Sequence, residues 1–448
     1  MILECELRLQ KDELPFEKGK RIGFIGLGRS NMPVAQLLRS QGFDVSLRDK
    51  KAMPPIEGFE CFFGDGYLEN IYEDVLFLAP VLRPDIPEVL AARERGVYVT
   101  TEINEYLRRR KGKVIAITGS DGKTTTTTLI NEILKASGVK TILGGNIGIN
   151  LLTHIYEEDE DTVTVCELSS FQLMKICHSP DVAVITNISP NHLDWHKDMA
   201  EYIEAKKNVF KFMQSGKVVL CGDDATSNGF ADEIKVSKVF TSGTRVLNDG
   251  VYFDSEGIYA FGKKILDDSD ILIPGRHNRY NYAAAIAATW GLADEEAIRR
   301  VARTFPGVKH RIQLVREKDG VRWYNSSIDS SPTRTAAALN SFAQKVIVIA
   351  GGYDKHIPLE PLGELFERKT KAAILMGVTG KKINEILHDT GYTGKIETAS
   401  SMQEAVEIAH SLAREGDTVI LSPAAASFDM FKDFEERGEK FVECVNGL

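Results

Sequence analysis

Residues 118–125 read Thr-Gly-Ser-Asp-Gly-Lys-Thr-Thr and directly follow a run of small and β-branched apolar residues. This pattern predicts a buried strand, a glycine turn and a helix start, where backbone N–H groups converge on a phosphate. Lys123 adds a positive charge, and a Thr hydroxyl can bind Mg²⁺. The loop is short, because Gly119 and Gly122 have fewer residues between them than the usual P-loop has. We expect it to bind a nucleoside triphosphate; the alternative is a structural turn.

Polar side chains also follow two later strand-like runs. Glu167 closes one run, and its carboxylate suits Mg²⁺; the alternative is a helix N-terminus capped by Ser169 and Ser170. Residues 192–196 place two histidines and an aspartate after the next run, and we favour a functional cluster there over structural histidines. Lys206 lies on a helical segment, which by itself predicts only a solvated face.

Two further patterns leave both readings open. Gly26-Leu-Gly28 follows a strand-like run, but Asn31 stands where a dinucleotide-binding loop has its third glycine. Asp49 lies about 20 residues further on and could accept from a ribose or a base. The loop therefore binds a nucleotide or nucleotide sugar, or is a structural turn. Asn278 and Asn281 lie one turn apart at a helix start, where their amides suit an adenine edge or cap the helix.

Two polar loops follow strand-like runs in the last third of the chain. One reads Gly351-Gly-Tyr-Asp-Lys355, and the other reads Leu421-Ser-Pro-Ala-Ala-Ala-Ser427. Their cation, hydroxyls and N–H groups suit an anionic second substrate. The alternative is a pair of ordinary connecting loops.

Composition excludes several classes of protein. The 448 residues are 43% hydrophobic and 27% charged, as in a globular protein. A formal net charge of −9 argues against a general nucleic-acid partner. No apolar run approaches the roughly 20 residues that span a bilayer, and the N-terminus lacks a signal-peptide pattern. We therefore expect a cytoplasmic monomer with no nucleic-acid partner and no membrane insertion.

The elements that position these residues are strands alternating with helices, which predicts parallel βαβ units and an α/β fold. We predict three domains from the length and the blocks of strands. Residues 1–112 would form a Rossmann-like domain, and residues 113–308 a central parallel sheet of the P-loop ATPase type. Residues 309–448 would form a second Rossmann-like domain. Residues 251–273, interrupted by two glycines, predict a small antiparallel insert in the central domain.

Taken together, the motifs resemble those of the Mur ligase family, in family order and over most of the chain. Besides the glycine loop they include Gly-Gly-Asn146-Ile-Gly, Glu167-Leu-Ser-Ser-Phe-Gln-Leu, Gly-x-His-Asn278-x-x-Asn and Pro-Gly-x-x-His-Arg311. The segments after Glu167 and Leu421 look most like members that add D-glutamate to UDP-N-acetylmuramoyl-L-alanine. The resemblance implies UDP-sugar, ATP and amino-acid domains in that order. The implied activity is ATP-dependent ligation through an acyl phosphate, with Mg²⁺, in peptidoglycan precursor synthesis.

The resemblance also implies roles for individual residues. Lys123, His192 and Lys206 would be catalytic, and Lys206 would become a carbamate that helps to hold metal. The implied ATP-binding residues are Gly119, Ser120, Asp121, Gly122, Lys123, Thr124, Thr125, Asn278 and Arg311. The implied metal-binding residues are Thr124, Glu167, His192 and Lys206. The implied UDP-sugar-binding residues are Gly28, Arg29, Ser30, Asp49, Asn146 and Ser169. The implied amino-acid-binding residues are Ser330, Lys355, Ser427 and Phe434.

The chain departs from the family pattern at two places. Residues 325–331 read Asn-Ser-Ser-Ile-Asp-Ser-Ser, so Ile328 replaces a lysine of the family, and Asp329 or Arg334 could act in its place. Residues 79–82 read Ala-Pro-Val-Leu instead of Ser-Pro-Gly-Ile. Three readings stay open: a D-glutamate ligase, a ligase of the same fold for another amino acid such as L-glutamate, and a nucleotide-binding regulator without ligase activity.

Overall fold

The first sheet is fully parallel and carries the Gly26 turn. The computed structural model describes residues 19–448. The strands of this sheet are β1 (Arg21–Ile25), β2 (Asp44–Asp49), β3 (Glu60–Phe63), β4 (Val75–Leu78) and β5 (Tyr98–Thr100). Its helices are α1 (Asn31–Ser40), α2 (Pro87–Glu94) and α3 (Glu102–Arg109). The strand order β3-β2-β1-β4-β5 reverses direction at β1, so the turn after β1 lies at a topological switch point.

The second sheet is mostly parallel and ends in an antiparallel edge. Its strands are β6 (Lys113–Thr118), β7 (Thr141–Gly145), β8 (Val163–Glu167), β9 (Val182–Ile185), β10 (Lys217–Cys221), β11 (Ser237–Ser242), β12 (Val251–Phe253), β13 (Gly257–Ala260) and β14 (Lys263–Asp267). The order is β14-β13-β12-β11-β10-β9-β6-β8-β7. Strands β12, β13 and β14 pair antiparallel, which confirms the predicted insert as an extension of this sheet.

Six helices accompany the second sheet among the described residues, and most of them connect parallel strands. They are α4 (Lys123–Ala136), α5 (Ser170–Leu173), α6 (Met199–Lys211), α7 (Ala225–Gly229), α8 (Arg276–Thr289) and α9 (Glu295–Thr304). Strands β9, β6 and β8 are neighbours and parallel. Their carboxyl ends therefore bring the glycine loop, Glu167 and Thr186 to one edge of the sheet.

The third sheet holds the last polar loops. Its strands are β15 (Gln313–Lys318), β16 (Val321–Asn325), β17 (Val346–Ala350), β18 (Thr370–Leu375), β19 (Lys395–Thr398) and β20 (Thr418–Leu421). Its helices are α10 (Pro332–Asn340), α11 (Pro361–Lys369), α12 (Gly377–Asp389), α13 (Met402–Leu412) and α14 (Phe434–Asn446). The order is β15-β16-β20-β17-β18-β19, and only β15 runs antiparallel to its neighbour. Loops 325–331, 351–355 and 422–427 thus follow the carboxyl ends of adjacent strands β16, β17 and β20.

The central strands are buried on both faces, as in parallel sheets that are covered by helices. Every residue of β4, β8, β9, β17 and β20 is buried. In the first sheet the rings of Phe24 and Phe77 stack with centroids 4.8 Å apart. Such continuous apolar runs explain why the strands were recognisable in the sequence, and the predicted α/β fold class is confirmed.

The chain divides into two compact units. One comprises the described residues up to Asp268 together with Tyr280–Val301, and the other comprises Ser269–Arg279 together with Ala302–Leu448. The three predicted domains contain one sheet each, while their boundaries at residues 112 and 308 stay a prediction. Within residues 19–448, none of the helices has the length and apolar character needed to cross a membrane.

Candidate functional site

The glycine loop after β6 has a shape that only glycine permits at two positions. Gly119 has φ +143° and Gly122 has φ +78°. A Cβ at Gly119 would lie 1.9 Å from Oγ1 of Thr186, and a Cβ at Gly122 would lie 2.4 Å from Oδ1 of Asn281. The side chains of Thr186 and Asn281 therefore occupy the space that a Cβ atom at Gly119 or Gly122 would need.

The loop is held by the segment that follows β9. The N–H of Ser120 donates to the carbonyl of Asn187 at 2.8 Å, and the Ser120 hydroxyl donates to the carbonyl of Ser189 at 2.8 Å. The Thr186 hydroxyl donates to the carbonyl of Asp121 at 2.6 Å. Because α4 starts directly after Gly122, its first N–H groups lack intrahelical acceptors and point out of the helix end. This is the arrangement that receives a phosphate.

The cation of the loop lies over its own backbone. Lys123 donates from Nζ to the carbonyls of Gly119 and Ser120, at 2.9 and 2.8 Å. Thr124 is half-buried at the same helix end, whereas Thr125 is buried. The structure thus brings all the loop residues predicted for ATP together around one helix N-terminus.

Glu167 ends β8 with one carboxylate oxygen left without a partner. Its side chain is 1% exposed, and Oε1 accepts from Nδ2 of Asn146 at 2.7 Å. Oε2 is buried and has no hydrogen-bond partner among the described residues. A buried carboxylate oxygen in this state is costly unless it meets a cation, which fits the predicted metal role. The contact also places Asn146, predicted for the UDP-sugar, beside the predicted metal ligand.

Lys206 approaches the glycine loop from α6. Its side chain is 1% exposed, and Nζ donates to the carbonyl of Gly119 at 2.8 Å. A second bond to Oγ1 of Thr118 measures 3.3 Å. Burial, reinforced by the positive charge of Lys123, holds the pKa of Lys206 well below its usual range. A neutral amine is the form that can add CO₂, so the residue suits the predicted carbamate.

The two predicted histidines have different environments. His192 is exposed at φ +54°, and its ring packs 4.8 Å from that of Phe171. Partial burial of the ring and the positive charge of Lys123 lower the pKa of His192, which favours the neutral imidazole that a metal ion would bind. His196 is buried instead, and its Nε2 lies 2.9 Å from the hydroxyl of Ser170.

The predicted metal donors are few, and a modified lysine would add to them. Within residues 19–448 there is no group of three or more His, Cys, Asp or Glu side chains that could hold a metal ion. The predicted set includes only Glu167 and His192 of these types, and Thr124 adds a hydroxyl. Conversion of the Lys206 amine into a carbamate would supply the missing anionic oxygen.

The turn after β1 is built by side chains of the first sheet. Asn31 donates from Nδ2 to the carbonyls of Ile25 and Gly26, at 3.1 and 2.9 Å. Asp49 accepts from the N–H of Leu27 at 2.8 Å. Asn31 thus ties helix and turn together where a third glycine would allow close packing. Asp49 thus helps to fix the conformation of the loop. Its contact with a ligand stays a prediction.

The surface of that turn is open. A Cβ at Gly28 would meet nothing within 4 Å, and Arg29 is exposed. The carbonyl of Ser30 accepts from Nδ2 of Asn150 at 2.8 Å. This bond joins the start of α1 to the loop that carries Asn146. Two of the predicted UDP-sugar residues, Ser30 and Asn146, are thus linked through the loop after β7.

Ser169 closes a capping box at the start of α5. Its hydroxyl accepts from the N–H of Gln172 at 3.3 Å, while the Gln172 side chain accepts from the Ser169 N–H at 3.0 Å. The capping alternative noted for this serine is therefore realised, and the UDP-sugar contact of Ser169 stays a prediction.

Lys175 is a residue that sequence reasoning missed. It is 2% exposed, and its ammonium donates to three carbonyls of residues 79–82, at 2.5–3.3 Å. The indole of Trp195 donates to the carbonyl of Val81 at 2.7 Å. The loop that departs from the family pattern is thus held by side chains of the second sheet. Burial lowers the pKa of Lys175 to about 7.

Asn278 and Arg311 lie in irregular surroundings in the second unit. Asn278 donates from Nδ2 to the carbonyl of Pro274 at 2.6 Å. Arg311 lies between His310 and Ile312, which have φ values of +63° and +43°. Two left-handed residues flanking an arginine indicate a backbone held in a costly conformation, as is common at functional sites. The ATP contacts of both residues stay predictions.

Three of the predicted amino-acid residues lie on loops of the third sheet, and Phe434 is the first residue of α14. Lys355 is exposed and has no ion pair or hydrogen bond within the described part of the chain. Ser427 is buried, and Ser330 is half-buried. The carbonyl of Phe434 accepts from the hydroxyl of Ser327 at 2.7 Å. A free cation and small polar groups on neighbouring loops suit a carboxylate ligand.

Arg437 is the second residue that the sequence reasoning missed. It lies on α14, is 1% exposed, and donates to Ser327 and to the carbonyls of Ala425 and Ala426. The signal that could have found it is the neighbouring Gly438, since a helical glycine next to a charged residue indicates close packing. A Cβ at Gly438 would lie 2.1 Å from Nδ1 of His310.

The fold and the phosphate loop define a nucleotide-binding α/β enzyme that uses a short glycine loop. Residues 117–289 match the Mur ligase middle domain, and residues 310–425 match the Mur ligase, glutamate ligase domain. The chain is 47% identical to the UDP-N-acetylmuramoylalanine--D-glutamate ligase of Acetivibrio thermocellus, covering 96% of this chain and 97% of the relative. It is 45% identical to the protein of the same name from Clostridium beijerinckii, covering 98% and 100%. The chain belongs to the Mur ligase family of ATP-dependent ligases.

Solved structures agree with this fold. The UDP-N-acetylmuramate-alanine ligase of Thermotoga maritima has a TM-score of 0.60 at 21% identity, covering 96% of this chain and 99% of that chain. A pseudomurein peptide ligase type C from Methanothermus fervidus has a TM-score of 0.51 at 17% identity, covering the same shares. At these identities the likeness concerns the fold alone, and it confirms the predicted architecture.

Proposed function

We propose that this chain joins D-glutamate to UDP-N-acetylmuramoyl-L-alanine in the cytoplasm, at the expense of ATP. The single observation that carries the proposal is the buried Lys206 amine on the carbonyl of Gly119, in a phosphate loop shaped for ATP. The names of the relatives support the choice of substrates. The protein would act as a monomer.

The chemistry must activate a carboxylate, because a carboxylate is a poor electrophile. The alanyl carboxylate attacks the γ-phosphate of ATP, ADP leaves, and an acyl phosphate forms. The free amine of glutamate then attacks the acyl carbon, and phosphate leaves as the amide forms. Lys123 and the N–H groups at the start of α4 hold the phosphates and offset the charge that builds up on them.

Mg²⁺ would be held by Thr124, Glu167, His192 and carbamylated Lys206. When bound, it would neutralise phosphate charge during the transfer. The carbamate forms when the neutral Lys206 amine adds CO₂ and releases one proton. Asn146 donates to Glu167 and would also touch the muramoyl-alanine, so it would hold the reacting carboxylate close to the metal-binding side chains.

The remaining substrate contacts follow the same division of the chain. The adenosine of ATP would bind Asn278, with Arg311 on the phosphates. The UDP-sugar would bind Gly28, Arg29, Ser30, Asp49 and Ser169. The glutamate would bind Ser330, Lys355, Ser427 and the backbone at Phe434.

Phosphate release tests the proposal directly. The chain is incubated with ATP, Mg²⁺ and UDP-N-acetylmuramoyl-L-alanine, and phosphate is measured with and without D-glutamate. A further arm omits the UDP-sugar, and we expect release only when both the UDP-sugar and D-glutamate are present. Phosphate release that does not depend on D-glutamate, or no phosphate release at all, would contradict the proposal. Preference for L-glutamate in a parallel arm would keep the ligase and change its amino acid.

A further inference from the structure

Arg437 is a buried cation whose acceptors are all neutral. Its Nε donates to the hydroxyl of Ser327 at 3.0 Å, and Nη2 donates to the Ser327 carbonyl at 2.8 Å. Its Nη1 donates to the carbonyls of Ala425 and Ala426, at 3.1 and 2.8 Å. One side chain thus holds two separate loops of the third sheet.

The charge of Arg437 is not balanced by an ion pair within the described residues. Asp429 and Asp329 act on it only from beyond ion-pair distance. Burial lowers its pKa to about 10, which still leaves it charged at pH 7. Burying a cation without an ion pair costs free energy of folding. A functional role for the positive charge of Arg437 would explain why the chain retains it.

The residues that Arg437 contacts are neighbours of those predicted to receive the amino acid. Ala426 directly precedes Ser427. The hydroxyl of Ser327, which Arg437 contacts, donates a hydrogen bond to the carbonyl of Phe434 at 2.7 Å. A Cβ at Gly352, three residues before Lys355, would lie 3.1 Å from Nη1 of Arg437. All three predicted loops therefore converge on one guanidinium.

The loop at residues 325–331 has no cation of its own, and its Asp329 is buried. Arg334 is exposed and donates to the carbonyl of Ile328 at 3.2 Å, so it lies on the outside of this loop. Arg437 lies on the inside, against Ser327. The fixed charge of Arg437 makes the electrostatic potential at these loops more positive, which favours the binding of an anionic ligand there.

We propose that Arg437 is the positioning residue of the amino-acid pocket. Its guanidinium fixes Ser327, Ala425 and Ala426 so that Ser427 and Lys355 face the substrate, and its charge favours an amino acid with two carboxylates. This inference rests on the proposed function. Arg437 acts through the loops and does not touch the substrate.

The test compares Arg437→Met, Arg437→Lys and Arg334→Met, with the exposed helical Arg368→Met as the matched control. Initial rates are measured while D-glutamate, ATP and the UDP-sugar are varied in turn. We expect Arg437→Met to raise the KM for D-glutamate about 10–30-fold, as for a lost charged hydrogen-bonding group, and to leave the KM for ATP near wild type. Arg437→Lys should restore part of this loss, and Arg368→Met should behave like wild type.

The ratio of kcat/KM for D-glutamate over D-glutamine gives a second measurement. We expect this ratio to fall in Arg437→Met, which removes the charge, and to stay closer to wild type in Arg437→Lys, which keeps it. If Arg437→Met does not fold, Arg437→Lys replaces it, with a raised KM for D-glutamate expected at an unchanged KM for ATP. An equal rise of all three KM values, an unchanged ratio in Arg437→Met, or a D-glutamate defect in Arg334→Met alone would overturn the inference. If the wild-type chain does not use D-glutamate at all, the proposed function fails and not this inference alone.

Discussion

Lys206 of the first unit and Arg437 of the second are both 1% exposed, and both donate to backbone carbonyls. They differ in what burial does to their charge. Burial drives the pKa of Lys206 well below its usual range, whereas Arg437 keeps its charge at pH 7. The first site therefore buries a cation that can become a neutral nucleophile, and the second buries a cation that stays charged.

The difference agrees with the chemistry proposed for each loop cluster. At the phosphate loop, Lys123 would already supply a positive charge to the phosphates, so a second fixed cation at Lys206 would compete with a metal ion. At the amino-acid loops no reaction requires a neutral amine from the protein. A permanent charge there costs more to bury but serves an anionic substrate without a proton-transfer step.

Replacement of Lys206 has the largest expected effect. Lys206→Ala should reduce kcat about 10³-fold, since the loss removes the carbamate proposed to hold the metal ion that offsets phosphate charge. Lys206→Arg should be as inactive, because a guanidinium keeps the charge but cannot form a carbamate. The measurement is phosphate release under saturating substrates.

Small carboxylic acids provide the control for the Lys206 prediction. Acetate or formate should restore part of the activity of Lys206→Ala, because each supplies a carboxylate in place of the carbamate, and should not restore Lys206→Arg. Full activity of Lys206→Arg would show that no carbamate is needed at residue 206. The proposed difference between Lys206 and Arg437 would then be wrong.

Glu167→Gln has the next largest expected effect. The amide oxygen can still accept from Asn146, but the buried oxygen without a partner loses its negative charge. We expect kcat to fall about 10²-fold and the Mg²⁺ concentration for half-maximal rate to rise. Glu102→Gln is the matched control, because this buried carboxyl has a pKa raised by burial to about 7 and accepts from the N–H of Leu152. An unchanged Mg²⁺ dependence in Glu167→Gln would remove the metal role.

The sequence predicted the parts of the site that depend on local backbone. Gly119 and Gly122 were recognisable because no other residue fits their turn, and Glu167 because it ends an apolar run. The parallel sheet then brings these strand ends together without further information. Adjacent strand ends explain why the residues predicted for the phosphate site lie close together, while their contacts with ATP and metal stay a prediction.

The sequence could not reveal the buried cations that act at a distance along the chain. Lys175 contacts residues 79–82, and Arg437 contacts Ser327, through side chains separated by about a hundred residues in each case. No short-range periodicity encodes such contacts. Lys206 became a candidate only through the resemblance, since a lysine on an amphipathic helix is usually solvated.

Lys355 provides an exposed counterpart to Arg437. Lys355→Ala should raise the KM for D-glutamate on the order of 10-fold, because it removes a charged donor to a carboxylate. Lys382→Ala is the control, since Lys382 is an exposed lysine of the same unit that pairs with Asp354 at 2.5 Å. Rates are measured with D-glutamate varied at saturating ATP. A larger effect for Lys382→Ala would move the carboxylate contact away from Lys355.

Lys175 has the smallest expected effect on rate and extends the comparison to stability. Lys175→Met should raise the KM for the UDP-sugar about three-fold through loss of the bonds to residues 79–82. The control Lys217→Met removes a lysine that donates to the carbonyls of Ala287 and Trp290, and it should leave this KM unchanged.

The pKa of Lys175 is about 7 in the folded chain, far below the ordinary lysine value of 10.5. Between these values the unfolded chain holds a proton that the folded chain has released, so the contribution of Lys175 to stability must rise with pH. The difference in Tm between wild type and Lys175→Met should therefore move in favour of wild type from pH 7 to pH 9. Thermal unfolding of both proteins at the two pH values measures it. If the difference in Tm does not change with pH, Lys175 stays charged when buried, as Arg437 does. The choice between lysine and arginine would then not decide which buried cation loses its proton.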